Sequence, residues 1–222
     1  FPHTALDPVS DVLVWQALML ENFDFKFEKQ YWVASAEART ALTEAMAIPG
    51  NEAWEFFLMT GISGIEAIHT MRRTQYLKAL QLSFEAIGYV NKVREHAPNF
   101  IDLALADGMY NYWRTIVTMN SKLLPDFGDK RAEGIAQMRQ VEQSGIFLAS
   151  PTTLALVFTW HEENNMKEAL TSCVKNYRKY PNNIINNMVM GSTYVYTRRY
   201  KLALETFDRI STVDANNQRV KY

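Results

Sequence analysis

Cysteine is almost missing from this chain: its 222 residues include one, Cys173. A single thiol excludes an internal disulfide framework and cannot hold a metal by itself, and it leaves the redox compartment open. Glycine and proline are scarce as well, at 9 and 7, so the punctuation that folds built of short strands require is thin. No long apolar run is present; the stretch "VLVWQALML" from Val12 to Leu20 falls far short of the roughly 20 residues a bilayer-crossing helix needs. Net charge is nearly nil, 23 basic against 24 acidic side chains. The balance is −4 over residues 1–100 and +3 afterwards, with no clustered basic face of the kind that neutralises nucleic-acid phosphates.

What is present is helix-forming. Hydrophobic residues make up 48% and charged residues 21%, the composition of an ordinary folded protein with a sizeable core. Apolar positions recur every three and four residues, the period of amphipathic helices, and few windows alternate as strands do. The expected class is all-α. The first residue is Phe1 with no initiator Met, and "NNQRVKY" after the last helix reads like the opening of another. The expectation is an excerpt of a longer chain.

One phrase recurs: "YLKAL" at Tyr76, "MKEAL" at Met166 and "YKLAL" at Tyr200. The last two belong to a register of 34 residues that pairs Thr159 with Thr193, Trp160 with Tyr194, Lys167 with Lys201, Ala169 with Ala203, Leu170 with Leu204 and Asn182-Asn183 with Asn216-Asn217. Two helices cross closely only where one side chain is reduced to a methyl or a hydrogen, with larger residues filling the space around it. A shared small position at fixed spacing therefore marks repeated helix pairs.

This pattern resembles the tetratricopeptide repeat. In residues 184–217, Gly191, Tyr194, Ala203 and Phe207 stand at the family's eighth, eleventh, twentieth and twenty-fourth positions. In residues 150–183 the matching side chains are Val157, Trp160, Ala169 and Cys173, with Pro181 following. Upstream the pattern loosens. Gly108 in "DGMYNYW" and Gly134 are 26 residues apart where the regular unit has 12, which places an insertion near 114–128. Residues 51–98 form another long pair, with Gly61, Gly64 and Ala67 spaced by three, and residues 9–47 a first hairpin. The resemblance implies a single domain over 1–222, a right-handed superhelix (α-solenoid) of about five antiparallel helix pairs. It extends to a degenerate bacterial branch whose members are often exported envelope proteins, which implies a periplasmic or envelope location.

Catalytic signals are weak. Glu66 and His69 keep a Glu-x-x-His spacing, but carboxylate-rich metal bundles use it twice; here it reads as a contact on a helix surface. His161 in "WHEEN" lacks the second His of a metalloprotease helix and reads as a surface residue. "DFG" at residues 126–128 has no accompanying phosphate loop and reads as a turn. Cys173, at the position of Phe207 in the next unit, reads as core. The chain is expected not to be an enzyme, with no catalytic, cofactor or metal residues.

In the family, the first helix of each unit lines the concave face. Carried over, those positions are Leu154, Phe158, His161 and Glu162, then Ile185, Met188, Ser192, Val195 and Tyr196, with Leu105, Met109, Tyr112 and Trp113 as the analogous face upstream. Such an apolar, aromatic groove suits a helix or extended apolar segment of a protein partner. The Lys and Asn with which chaperone-binding members hold a terminal carboxylate are replaced by Leu154 and Phe158, then Met188 and Ser192. The expected function is a non-catalytic protein-protein interaction scaffold in a multiprotein assembly. The alternative is a helical-repeat small-ligand receptor or enzyme with a closed apolar pocket.

Overall fold

The computed structural model describes residues 3–119 and 128–217, and all regular structure among them is α-helical. The helices are α1 (His3–Glu21), α2 (Glu28–Ala45), α3 (Glu52–Arg72), α4 (Tyr76–His96), α5 (Leu103–Met119), α6 (Arg131–Ser144), α7 (Ala149–Glu162), α8 (Met166–Lys179), α9 (Ile184–Tyr196) and α10 (Tyr200–Asn217). Consecutive helices pack on one another, α1 with α2, α3 with α4, α7 with α8 and α9 with α10. None of the described helices is long and apolar enough to cross a membrane. Of the segment expected as an insertion near 114–128, residues 114–119 continue α5, and residues 120–127, with two of the three residues of the 126–128 triplet, lie outside the described residues; of the stretch read as the opening of a further helix, Asn216 and Asn217 belong to α10 and residues 218–222 lie outside the described residues.

The recurring five-residue phrase opens α4, α8 and α10, and the turn before it is built identically each time. Thr74, Asn164 and Arg198 all adopt positive φ, at 58°, 53° and 58°. The next amide closes back onto the preceding helix: Gln75 N donates to Thr70 O at 2.9 Å, Asn165 N to Trp160 O at 2.8 Å, and Arg199 N to Tyr194 O at 2.8 Å. With the Thr74, Asn164 and Arg198 amides bonded to the carbonyls of Met71, His161 and Val195, these are Schellman endings, which satisfy the last carbonyls of a helix by one left-handed residue. The chain thus reverses at once, and the Ala three residues into the new helix meets the old one. Ala79, Ala169 and Ala203 are all buried.

The chain divides into two compact units, Phe1–Gln137 and Met138–Tyr222. In the first, Val12 and Met19 of α1, Tyr31, Ala38 and Leu42 of α2, and Met59 and Ile62 of α3 form one apolar cluster. Val90 and Val93 of α4 join Leu103 of α5 in another. Each fully buried Leu, Ile, Val or Met adds about 1.5–3 kcal/mol. α5 and α6 approach closely: a Cβ on Gly134 would lie 2.6 Å from the Gly108 carbonyl oxygen and 2.9 Å from the Tyr112 amide. Gly61 and Gly64 differ, because open space surrounds both; of that spaced trio only Ala67 is buried.

In the second unit, Val157, Cys173, Val189 and Met190 form the core, with Leu170, Tyr177 and Tyr194 packed around them. Gly191 faces Phe207 so tightly that an added Cβ would stand 2.5 Å from its ring. Three asparagines tie the turn to its neighbours. Asn183 caps α9 by accepting from the Asn186 amide at 2.8 Å, Asn186 Nδ2 donates to the Cys173 carbonyl at 3.1 Å, and Asn187 Nδ2 donates to the Pro181 carbonyl at 2.8 Å.

Candidate functional site

In the second unit α7 and α9 each turn one stripe toward solvent. On α7 the exposed positions include Phe158 and Glu162, with Leu154 and His161 half-buried beside them; on α9 Val195 and Tyr196 are exposed, with Ile185, Met188 and Ser192 half-buried. Phe158 retains 41% of its surface and Tyr196 70%. The two stripes meet at His161: its ring lies edge-on to Tyr196 with centroids 5.8 Å apart, and its Nε2 is 2.7 Å from Thr193 Oγ1. Thr193 donates its own proton to the Val189 carbonyl at 2.8 Å, so Oγ1 accepts and His161 carries its proton on Nε2. Burial holds the ring below the ordinary histidine pKa, and it is neutral at pH 7. His161 is therefore a joint between two helices, where the sequence led us to expect a surface residue.

The upstream candidates lie on α5 in the first unit. Leu105, Met109 and Trp113 are half-buried, but Tyr112 is fully buried. Its ring meets its chain neighbour Trp113 edge-on, centroids 5.1 Å apart, and the closeness of Gly134 to its backbone places it against α6. Tyr112 is a packing residue and not part of an exposed contact face, because its ring is closed to solvent.

The residues that sequence spacing marked as a surface contact are buried. Glu66 and His69 are 4% and 0% exposed, and each anchors a separate polar group. Arg39 of α2 donates through Nε and Nη2 to Glu66 at 3.0 and 2.5 Å, through Nη1 to Glu85 of α4 at 2.8 Å, and through Nη2 to Ser63 at 3.1 Å. Ser35 adds a further hydrogen bond to Glu66. One guanidinium therefore compensates two carboxylates on two helices, the fork geometry to which arginine is suited.

His69 stacks on Tyr31 at 4.5 Å and meets Phe25 and Trp32 edge-on. Its Nε2 lies 2.9 Å from Glu28 and its Nδ1 3.3 Å from the Gln16 side-chain oxygen. The Gln16 amide nitrogen is buried without a partner. Turning that amide lets it donate to Nδ1, while the neutral ring donates Nε2–H to Glu28, so the amide assignment and the protonation state solve one another. Burial is the main cause holding the His69 pKa below the ordinary value, with the Glu28 hydrogen bond opposing it and Arg72 and Arg73 assisting. Both of its nitrogens are engaged and its ring is closed to solvent, so this group locks α1, α2 and α3 together and presents nothing to a substrate. No spacing rule could have found it, because Gln16, Glu28 and Arg39 reach α3 from positions 27–53 residues away.

Cys173 is buried, and burial pushes its thiol up to about 12, which makes it a poor nucleophile. Among the described residues, no three His, Cys, Asp or Glu side chains gather as metal ligands would. Compared with known proteins, the chain matches no family model, no curated protein and no solved structure.

Proposed function

We propose that this chain is a tetratricopeptide-like superhelical scaffold, non-catalytic and part of a multiprotein assembly in a bacterial envelope, which receives an apolar helix or extended segment of a protein partner on the α7/α9 face. One observation carries the reading: Phe158, Val195 and Tyr196, large apolar or aromatic side chains, stand exposed on two first helices that touch through His161. Apolar and aromatic side chains grouped on rigid helices, with a half-buried histidine stiffening the base, have the character of a binding surface. The missing carboxylate clamp turns the preference away from free C-termini and toward side-chain recognition.

The test is affinity capture with cross-linking from the native source, run in parallel with Phe158→Ser/Tyr196→Ser. Both positions are exposed, so folding should be kept and circular dichroism unchanged, while a cross-linked protein partner should be lost. A partner retained at its original level by a folded double variant would overturn the assignment of this face. A chain that captures no protein would overturn the scaffold reading in favour of a ligand-binding pocket.

A further inference from the structure

A cleft of about 570 Å³ opens along α8 beside the turn into α10. Half-buried Leu170 and Val174 form its floor, and Lys167, Lys175, Arg178 and Arg199 stand exposed around it with no carboxylate in the lining. Lys175 reaches Glu142 at 3.1 Å. Among the described residues Lys167, Arg178 and Arg199 make no ion pair. Three uncompensated cations around an apolar floor call for an occupant that brings apolar side chains and carboxylates together.

Such a surface exists on α1 of this chain. The helix contains no Lys or Arg. Asp7 and Asp11 are exposed, make no ion pair among the described residues, and share one side of the helix with Val14, 51% exposed, and with the small residues Ser10 and Ala17, also exposed. At 1.5 Å per residue the stripe from Asp7 to Ala17 is about 15 Å long, and Lys167 and Arg178 are about 16 Å apart along α8 with the two apolar floor residues between them. The surrounding charges favour the same pairing. Residues 1–137 carry 17 acidic and 12 basic side chains, net −5, and residues 138–222 carry 7 and 11, net +4.

We propose that α1 of one copy docks in the α8 cleft of a second copy, apolar stripe on apolar floor and aspartates on cations. The two surfaces differ, so each copy offers one donor helix and one acceptor cleft, and both can be used in the same assembly. The contact uses neither Phe158 nor Tyr196, so it stands or falls separately from the partner face on α7 and α9.

Sedimentation velocity of the chain across the micromolar range, at low and high salt, tests it. The expected result is a mass that climbs above the monomer with concentration and falls as salt screens the pairs. Asp7→Lys/Asp11→Lys and Lys167→Glu/Arg178→Glu should each weaken association by about tenfold or more. An equimolar mixture of the two variants should restore it, because each keeps the face the other lacks; the restoration also shows that both are folded. A wild-type chain that stays monomeric throughout, an association that neither reversal changes, or a mixture that stays monomeric would overturn the proposal.

Discussion

Ala169 and Ala203 are 0% and 3% exposed at the points where α8 and α10 meet the helices before them. A methyl group is what the crossing accommodates, and the three further carbons of leucine have no space without displacing backbone or neighbouring side chains. Ala169→Leu and Ala203→Leu should each destabilise by about 1–3 kcal/mol, measured as a shift of the urea midpoint at constant slope. Unchanged midpoints in both would mean that the 34-residue register misplaces the contacts. Gly191 against Phe207 shows the complementary case, where a hydrogen is required because the facing ring takes the space.

At the scale of elements, the Schellman turns decide where each helix pair folds back. Three of the left-handed positions carry Thr74, Asn164 and Arg198, and the β-branched threonine is the least suited to that conformation. Thr74→Gly should stabilise the chain by about 0.5–1 kcal/mol, the relief of strain exceeding the added freedom of the unfolded state. Chemical denaturation measures it, and a loss of stability would mean that the Thr74 side chain contributes more than its backbone strain costs. The recurring phrase after each turn was legible because helix starts and small crossing residues are local properties. The left-handed residue itself was not, since Thr, Asn and Arg share no side-chain feature and only the backbone path reveals them.

For the whole molecule, each unit holds one histidine whose pKa is depressed, His69 chiefly by burial and His161 by burial alone. Both are neutral in the folded chain near pH 7. Once unfolded they take up protons below about pH 6.5, so unfolding binds protons as the pH falls, and stability is full above that value and declines below it toward the folded pKa values. The urea midpoint at pH 5.5 should therefore lie below that at pH 7.5, and His69→Phe/His161→Phe should narrow the difference. An equal or wider difference in the double variant would assign the pH dependence to other groups.

The all-helical class and the burial of Cys173 were open to reading from amino-acid order, because they follow from periodicity and residue size. Of the positions carried over from the repeat pattern on α7 and α9, Phe158, Glu162, Val195 and Tyr196 are exposed and the others half-buried. Packing between distant residues had to be seen in three dimensions. It drew Tyr112 inside against α6, moved Glu66 and His69 from an apparent helix surface into the core, and supplied Arg39, Glu28 and Gln16 as their partners. A helical pattern states which residues share a side of one helix, whereas burial and ion pairing depend on what the neighbouring helices bring to that side.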